Sequence, residues 1–415
     1  MKNFKIYDNI IFNMEKKSFE FFKSGLNYLG GGSSTNSKRP VFEEEPAIIV
    51  KGKGCRVWDM DGNEYIDFRC ALGPVTLGYN IPEINEAIIE QIKNGISFSY
   101  PHPLEIIVAK KLVEIIPCAE RVRFLKTGGE AISACIKIAR NHTKRKKIIH
   151  CGYNGWLNCF ETSGVSAPGI ASSSPQKGIP PEIISLHKNL PWADFDIWEK
   201  EFKEKGEEIA AVVIASNYRD IEKGKEFLPF IRKLTIKYGA LMIMDEIVTG
   251  FRVAIGGIHQ YFNFLPDMSV FSKGIANGMP LSAYLGKKEL IDTSSELGIS
   301  STFGGETLSL ASCNAVIDFY IKNNVIDYLW NTGKKIWTEI NKLFKYYGIE
   351  AEIKGFPVCP FFDFKNSEER NRFFRNCFKN GVIFYNVGYV NYSHKEKDIE
   401  EAIDRVEKSI KEMKK

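Results

Sequence analysis

The first group of residues that could do chemistry lies at residues 126–131 (KTGGEA), between an apolar run and a helical pattern. Two glycines at the start of a helix leave backbone amides free for a phosphate, and the positive end of the helix dipole favours an anion. Thr127 and Glu130 also have the spacing of a capping box, which any helix can use. The segment therefore predicts either a phosphate site at Thr127, Gly128 and Gly129 or an ordinary helix start.

Two further segments place a carboxylate and an amine directly after apolar runs. Asp245 and Glu246 follow residues 241–244, and Lys273 follows residues 268–271 after one serine. Ligands bind beyond the carboxyl ends of parallel strands, where a poorly solvated carboxylate needs a cation or hydrogen bonds. Burial lowers the pKa of a lysine amine and makes it a nucleophile towards carbonyls. The alternatives are an aspartate that satisfies its own loop and a solvated surface lysine.

An aromatic residue and a second glycine turn complete the set. Tyr153 follows the apolar run 148–150, where it could stack on a planar ring or pack in the core. Residues 301–305 (STFGG) precede another helical pattern and could supply donors for an anion or only start that helix. A phosphate site, an acid for a ring nitrogen, an aromatic face and a lysine amine together describe pyridoxal phosphate. The same residues suggest no metal site.

These residues need elements that bring them to one place. Between about residues 83 and 290, helical patterns alternate with short apolar runs. The runs are 122–125, 148–150, 211–215, 241–244 and 268–271. They are rich in valine and isoleucine and apolar throughout, which is typical of parallel strands covered by helices on both faces. The predicted fold class is therefore α/β.

The composition excludes several other kinds of protein. The chain has 415 residues, of which 44% are hydrophobic and 26% charged, so it can bury a large core in two or three domains. A net charge of +5 without a basic cluster does not indicate nucleic acid binding. The nine cysteines show no CxxC spacing, which leaves zinc and redox motifs without support. Because we find no signal peptide and no long apolar run, we expect a cytoplasmic protein with no membrane segment.

Two of these segments resemble the class III pyridoxal-phosphate-dependent aminotransferases. They are residues 245–252 (DEIVTGFR) and 272–281 (SKGIANGMPL). The likeness extends over most of the chain and is strongest to the glutamate-1-semialdehyde aminomutase-like branch and its relatives in polysaccharide biosynthesis. It implies fold type I, with a mostly parallel seven-stranded sheet in the large domain and a small α+β domain built from both chain ends. The implied division is an N-terminal segment 1–65, a large cofactor domain 66–312 and a C-terminal small domain 313–415.

The resemblance also implies a role for each cofactor-binding residue. Lys273 would bind pyridoxal phosphate covalently and carry a proton during the reaction, and Asp245 would pair with the ring nitrogen. Ile247 and Tyr153 would pack on the two faces of the ring. Thr302 would reach the phosphate from the neighbouring subunit, so the active unit would be a homodimer.

Three departures from the family pattern bear on the substrate. Gly129 lacks the side-chain donor that relatives often have there, although it keeps its amide. Ala215 and Ser216 stand where many relatives have Glu-Pro, so a usual active-site carboxylate is missing. Residues 381–394 contain no arginine, which relatives acting on terminal amines of carboxylic acids use near this end. A second substrate carboxylate therefore has no evident partner in that region.

These departures lead to a substrate hypothesis. Ser34 and Arg39 lie where aminomutase relatives bind a substrate carboxylate, although Arg39 could equally bind a phosphate or form a surface salt bridge. We predict an aminotransferase whose amino donor is L-glutamate and whose carbonyl acceptor is a small ketone or aldehyde. Candidate acceptors are a sugar, a nucleotide sugar or a triose phosphate such as dihydroxyacetone phosphate, which would place the reaction in carbohydrate or polysaccharide biosynthesis.

Three other functions stay open. The first is glutamate-1-semialdehyde 2,1-aminomutase, an isomerase that would use the same lysine. The second is a non-catalytic binding protein on the same fold, which the presence of both Lys273 and Asp245 disfavours. The third is a nucleotide site at residues 127–130, which lacks the Lys-Ser/Thr ending of a P-loop. The long polar segment 163–174 is a candidate for a loop that closes over the site.

Overall fold

The computed structural model describes residues 17–157 and 178–414, so the candidate closing loop at 163–174 lies outside the described residues. In these two ranges, no helix combines the length and apolar character needed to cross a membrane. The α-helices are α1 (Lys17–Gly25), α2 (Pro82–Ile92), α3 (Pro103–Ile115), α4 (Gly128–Thr143), α5 (Pro181–Ile184), α6 (Phe195–Lys205), α7 (Gly224–Tyr238), α8 (Ile258–Tyr261), α9 (Lys288–Ile291), α10 (Thr307–Asn323), α11 (Val325–Tyr346), α12 (Ser367–Lys379) and α13 (Glu396–Lys414). The strands are β1 (Ile49–Lys53), β2 (Arg56–Asp59), β3 (Glu64–Asp67), β4 (Arg121–Leu125), β5 (Lys147–Cys151), β6 (His187–Asn189), β7 (Ile209–Ala215), β8 (Leu241–Asp245), β9 (Met268–Phe271), β10 (Ser282–Gly286), β11 (Ala351–Lys354), β12 (Phe361–Phe364) and β13 (Val382–Ile383).

The largest sheet has seven strands in the order β4-β10-β9-β8-β7-β5-β6. Strands β6, β5, β7, β8 and β9 pair in parallel, and β10 runs antiparallel to both β9 and β4. The prediction of a mostly parallel seven-stranded sheet is therefore confirmed. The five apolar runs correspond to β4, β5, β7, β8 and β9, whereas the sequence patterns did not reveal β6 and β10.

Two hydrophobic cores cover the two faces of this sheet. Along β7, the side chains of Val212 and Ile214 belong to one core, and those of Ala211 and Val213 belong to the other. Every residue of β8 is buried. This burial on both faces explains why the runs are apolar at every position instead of alternating.

A second sheet joins the two ends of the chain. Its order is β1-β2-β3-β13, in which the C-terminal strand β13 pairs in parallel with β3. Val382 lies opposite Ile66 in this pairing, and both side chains are buried. Residues more than 300 positions apart in the sequence therefore complete one sheet.

Candidate active site

The predicted site residues lie at one edge of the large sheet because β8 and β9 are neighbouring parallel strands. Asp245 is the last residue of β8, and Lys273 lies two residues beyond the end of β9. The carboxyl ends of neighbouring parallel strands share one edge, which is where ligands bind in open α/β sheets. This topology brings a carboxylate and an amine together although 28 positions separate them in the sequence.

Asp245 is buried, and each of its two carboxylate oxygens accepts one hydrogen bond from the protein. Its Oδ2 accepts a hydrogen bond from the side-chain amide of Asn154 (3.0 Å), and its Oδ1 accepts one from the backbone amide of Ile247 (3.1 Å). Burial raises the pKa of Asp245 to about 6, although Asn154, Ile247 and the charge of Lys273 oppose this shift. The carboxylate is thus ionised at neutral pH and has lone pairs left for a cationic partner.

Lys273 combines a lowered pKa with an unusual backbone conformation. Burial lowers the pKa of its amine to about 8, with the nearby guanidinium of Arg252 acting in the same direction and the carboxylate of Asp245 opposing it. Its φ of 47° lies in the left-handed region, which costs a side-chain-bearing residue about 1 kcal/mol or more. A substantial fraction of the amine is therefore neutral near pH 8, which is what a nucleophile requires.

The predicted phosphate turn starts helix α4. Thr127 is its N-cap, where Oγ1 accepts from the amide of Glu130 (3.4 Å) and the Glu130 carboxylate accepts from the amide of Thr127 (2.8 Å). The capping box is therefore formed, as the alternative interpretation predicted. It does not use the amides of Gly128 and Gly129, which belong to the first helical turn and have no intrahelical acceptor. Both interpretations of the segment are thus compatible with the structure.

The side chain of Ile247 lies over the start of α4. A methyl group at Gly128 would overlap Ile247 Cδ1 and would lie only 2.9 Å from its Cγ1. Glycine permits this close approach, and a larger residue there would displace the Ile247 side chain. Tyr153 follows β5, is 41% exposed and directly precedes Asn154, the donor to Asp245.

A buried hydroxyl next to this cluster is available for a polar ligand. Ala215 at the end of β7 pairs with Asp245, and Ser216 follows it. The Ser216 hydroxyl is buried and has no hydrogen-bond partner among the residues that the structure describes. Such an orphaned group indicates a missing ligand or water. Together with the Lys273 amine, the Asp245 carboxylate and the free amides of α4, it fits a cofactor with a ring nitrogen, a phosphate and further oxygens.

Three predicted site residues lie apart from this cluster within one chain. Thr302, Ser34 and Arg39 are exposed, and in the described ranges none of them forms a hydrogen bond or ion pair with Asp245 or Lys273. Thr302 lies in residues 299–305, part of which lines a surface groove of about 650 Å³ beside α3 and β4.

The segment that carries Ser34 and Arg39 is tied to a partly buried arginine. Arg69 donates to the carbonyl of Ser37, pairs with Glu45 (2.8 Å) and lies 4.6 Å above the ring of Tyr385. Residue 39 itself forms no ion pair with any residue of the described ranges, so its guanidinium is available for an anion.

Arg252 is a buried residue beside the candidate site. The sequence analysis included it in the family motif 245–252 but predicted no role for it. Its guanidinium donates to the backbone carbonyl of Gly73 and lies 4.5 Å from the ring of Tyr389. It also donates to carbonyls of residues 248, 358 and 390. A Cβ on Gly73 would lie 3.7 Å from both the Arg252 guanidinium and Lys273 Cδ, so the three residues adjoin.

The turn before Gly73 is held in a rare conformation beside Lys273. Cys70, Ala71 and Leu72 have φ values of 46°, 54° and 71°. The carboxylate of Asp67 accepts from the amide of Cys70 (3.2 Å) and supports the turn. Three successive side-chain-bearing residues in the left-handed region persist only where surrounding contacts impose them, and such strain clusters at functional sites. No local pattern in the sequence predicted this turn.

Comparison with known proteins agrees with this geometry. The sequence pattern of the family described as aminotransferase class-III matches residues 40–410. A glutamate-1-semialdehyde 2,1-aminomutase from Persephonella marina is 34% identical, with 96% of this chain and 99% of the relative covered. A 3-aminobutyryl-CoA aminotransferase from Cloacimonas acidaminovorans is 31% identical, with 96% and 98% covered.

Solved structures show the same fold at lower identity. An omega-transaminase from Sphaerobacter thermophilus superimposes with a TM-score of 0.86 at 22% identity, with 96% of this chain and 98% of that chain covered. A structure described as a transaminase with PLP bound gives 0.87 at 23% identity, with the same coverage. The predicted fold type I and the predicted enzyme class are confirmed, and pyridoxal phosphate, the predicted cofactor, is the cofactor of this family. This chain belongs to the class III aminotransferases.

Proposed function

We propose that this aminotransferase moves an amino group from L-glutamate to a small ketone or aldehyde, with pyridoxal phosphate held beyond the carboxyl ends of β8 and β9. The observation that carries the proposal is the meeting of Asp245 and Lys273 at the shared edge of these strands. A buried carboxylate there suits a protonated ring nitrogen, and an amine with a lowered pKa suits a carbonyl carbon.

Each of the predicted cofactor residues has a place in this proposal. Lys273 would hold the cofactor, and Asp245 would pair with its ring nitrogen. Ile247 and Tyr153 would pack against the ring. The phosphate would be received by Thr127, Gly128 and Gly129 at the start of α4. When bound, pyridoxal phosphate supplies an electron sink for the substrate carbon that loses a proton.

The chain's own contribution to the reaction is proton transfer at a dry site. The Lys273 amine would take the proton from the substrate carbon that bears the amino group. It would then return this proton to a different carbon atom. A pKa of about 8 allows the amine to do both near neutral pH, because neither form is strongly disfavoured. Asp245 stays ionised throughout, since Asn154 and the Ile247 amide donate to it.

The substrate side of the proposal rests on Arg39 and Ser34. Arg39 is exposed and has no ion-pair partner in the described ranges, so it is free to bind a carboxylate or phosphate of the substrate. Ser34 lies in the same segment, which Arg69 holds through the carbonyl of Ser37. A sugar, nucleotide sugar or triose phosphate such as dihydroxyacetone phosphate has the required anionic or hydroxyl groups. The proposal extends to a role in carbohydrate or polysaccharide biosynthesis.

A homodimer is part of the proposal because of one apolar surface. Around the groove next to residues 299–305, Ile106 is 71% exposed and Phe303 is 58% exposed. Exposed apolar residues grouped in this way mark an interaction surface. A second copy of the chain seated here would bring its Thr302 towards the phosphate turn of the first. We expect Phe303→Glu to produce monomers in sedimentation velocity, and an unchanged sedimentation coefficient would contradict this assembly.

Location and domain division belong to the same proposal. All eight cysteines of the described ranges are free and buried, which suits a reducing cytoplasm. The pairing of β13 with β3 supports a small domain assembled from residues 1–65 and 313–415 around the large domain 66–312.

An aminomutase is the second candidate, favoured by the name and 34% identity of the Persephonella marina relative. One experiment separates the two reactions. Enzyme loaded with pyridoxal phosphate is mixed with L-glutamate, and both the cofactor absorbance and released 2-oxoglutarate are measured. A transaminase converts the cofactor and releases 2-oxoglutarate in equal amounts, after which a panel of ketones and aldehydes identifies the acceptor by return of the original spectrum.

Three outcomes decide the proposal. An unchanged spectrum with L-glutamate, together with conversion of glutamate-1-semialdehyde into its isomer, would favour the aminomutase. Lys273→Ala should abolish either reaction, whereas the surface variant Lys237→Ala should leave it unchanged. Full turnover by Lys273→Ala would refute the proposed role of this lysine.

A further inference from the structure

A line of buried polar side chains leads away from Asp245 to the surface of the large domain. The Asn154 side-chain amide donates to Asp245 Oδ2 (3.0 Å), and its oxygen lies 3.1 Å from His150 Nδ1. His150 Nε2 lies 2.8 Å from His187 Nδ1, and His187 Nε2 lies 3.2 Å from the Arg140 guanidinium. Five side chains are thus joined by four consecutive hydrogen bonds.

Only one arrangement of protons satisfies every bond of this line. Arg140 can only donate, so Nε2 of His187 must accept. A neutral His187 then carries its proton on Nδ1 and donates to His150 Nε2. His150 in turn carries its proton on Nδ1 and donates to Asn154, whose NH₂ group is left to donate to Asp245. Starting from Asp245 leads to the same arrangement of protons, since an ionised carboxylate can only accept hydrogen bonds.

The environment keeps both histidines neutral. Burial lowers the pKa of His150 to about 4, although the hydrogen bond with Asn154 opposes this shift. Burial also lowers the pKa of His187 to about 3, and the nearby His150 and Arg140 act in the same direction. Their rings stack at 5.1 Å with an interplanar angle of 21°. Each neutral imidazole accepts a hydrogen bond on the Arg140 side and donates one on the Asp245 side. The two rings therefore add no positive charge near Asp245.

We propose that Arg140, His187, His150 and Asn154 form a one-way hydrogen-bond relay that fixes Asp245 as the acceptor for the ring nitrogen of pyridoxal phosphate. These four are positioning residues, and the inference rests on the proposed function for the cofactor and for Asp245. Arg140 lies in α4, the helix whose first turn would receive the phosphate. One helix therefore orients both ends of the cofactor, the phosphate directly and the ring nitrogen through the relay.

Other groups also face Asp245 and contribute to its protonation. They are Lys273, Glu246 on the same strand end, Cys135 of α4 and Tyr218 after β7. Of these, only Lys273 bears a charge that favours the ionised carboxylate. The relay is therefore separable by mutation, because none of its members beyond Asn154 contacts Asp245.

The test measures binding of pyridoxal phosphate to the protein freed of cofactor, from pH 5 to pH 9. We expect the affinity of the wild-type protein to fall on the acid side as Asp245 takes up a proton. Asn154→Leu removes the donor and should move this midpoint upward by about one pH unit, with about twofold weaker binding at pH 7 and about tenfold weaker binding at pH 5. His187→Phe keeps a planar ring for stacking but has no nitrogen, and Arg140→Met removes the terminal donor. Both should shift the midpoint in the same direction by a smaller amount.

Two variants control for simple loss of packing or charge. Arg140→Lys keeps a cationic donor and should restore the wild-type midpoint. Arg145→Met removes an arginine that binds backbone carbonyls of residues 206, 209 and 238, so it should lower stability without moving the midpoint. Identical pH profiles for His187→Phe, Arg140→Met and Arg145→Met would overturn the relay. Absence of pyridoxal phosphate binding by the wild-type protein would instead refute the proposed function.

Proton positions provide a second readout that needs no cofactor. The chain has six histidines, so nitrogen-15 labelling of histidine and magic-angle-spinning NMR can assign their tautomers. We expect His150 and His187 to be neutral with the proton on Nδ1, which is the rarer tautomer in water. Arg140→Met should release His187 to the Nε2-protonated form. A wild-type His150 protonated on Nε2 would contradict the direction of the relay.

Discussion

Replacing Glu246 by glutamine is expected to destabilise the fold in a manner that depends on pH. Glu246 is fully buried, and its Oε1 accepts from both Nδ1 (3.1 Å) and the backbone amide (3.0 Å) of His259. Burial disfavours a charged imidazole, but the neighbouring Cys118 and Glu246 side chains outweigh it and raise the pKa of His259 to about 10. The pair is therefore an ion pair at neutral pH.

The size of the effect follows from the shift. An imidazole with a pKa of 6.5 in the unfolded chain and about 10 in the folded protein stabilises the fold by up to about 5 kcal/mol. Because the folded pKa is raised, this stabilisation is complete below pH 6.5 and is lost as the pH rises towards 10. Removal of one partner from a buried ion pair costs about 3–5 kcal/mol, which is the loss expected for Glu246→Gln at pH 7.

The assay compares the free energy of unfolding in urea for the wild type and Glu246→Gln at pH 7 and pH 10. Other ionisations affect both proteins alike, so the difference between them reports the pair. This difference should shrink markedly at pH 10. Glu45→Gln is the matched control, because the buried Glu45 pairs with Arg69, which stays charged at both pH values. A wild-type advantage over Glu246→Gln that is equal at the two pH values would refute the reasoning.

Two further predictions concern the site itself. Gly128→Ala should lower the stability of the cofactor-free protein by about 1–3 kcal/mol and weaken its affinity for pyridoxal phosphate, because the new methyl group overlaps Ile247. Ile247→Val removes the nearest atom, so the double variant should recover part of both losses in thermal unfolding and cofactor titration. A double variant no better than Gly128→Ala would contradict this. Arg252→Met should raise the pKa of Lys273 above about 8 and Asp245→Asn should lower it, since the guanidinium disfavours and the carboxylate favours the ammonium. The rate of amine labelling of Lys273 against pH, followed by mass spectrometry in the cofactor-free protein, measures both shifts, and movement of both midpoints in the same direction would be incompatible with this account.

Much of the large sheet could be predicted from local sequence. A strand buried on both faces must be apolar at each position, so β7 and β8 were visible as continuous valine, isoleucine and methionine runs. Strands β6 and β10 lack that signal. Strand β6 is short and polar (His187–Asn189), and β10 includes serine, tyrosine and glycine. Their pairing depends on neighbours far along the chain, which a local pattern does not contain.

The proposed cofactor residues also follow from local chemistry, because a strand end fixes where its next side chain lies. The sequence by itself therefore placed Asp245 and Lys273 at one sheet edge. Local chemistry alone did not separate Asp245 from Glu246, since adjacent carboxylates look alike in a sequence, and only the family resemblance singled out Asp245. The tertiary structure decides that Asp245 faces Asn154 and the site, whereas Glu246 turns to His259 and the core.

Contacts between distant segments were beyond the reach of the sequence. Arg252 binds carbonyls of residues 73, 358 and 390, and His150 meets His187 across two strands. Hydrogen-bond partners of this kind are set by packing in three dimensions and leave no periodic trace in the chain. The sequence thus determined the fold class and the family and predicted the main candidate cofactor residues, which depend on local patterning and turn chemistry. Only the tertiary structure decided how those residues are oriented, because long-range packing fixes the protons and charges around them.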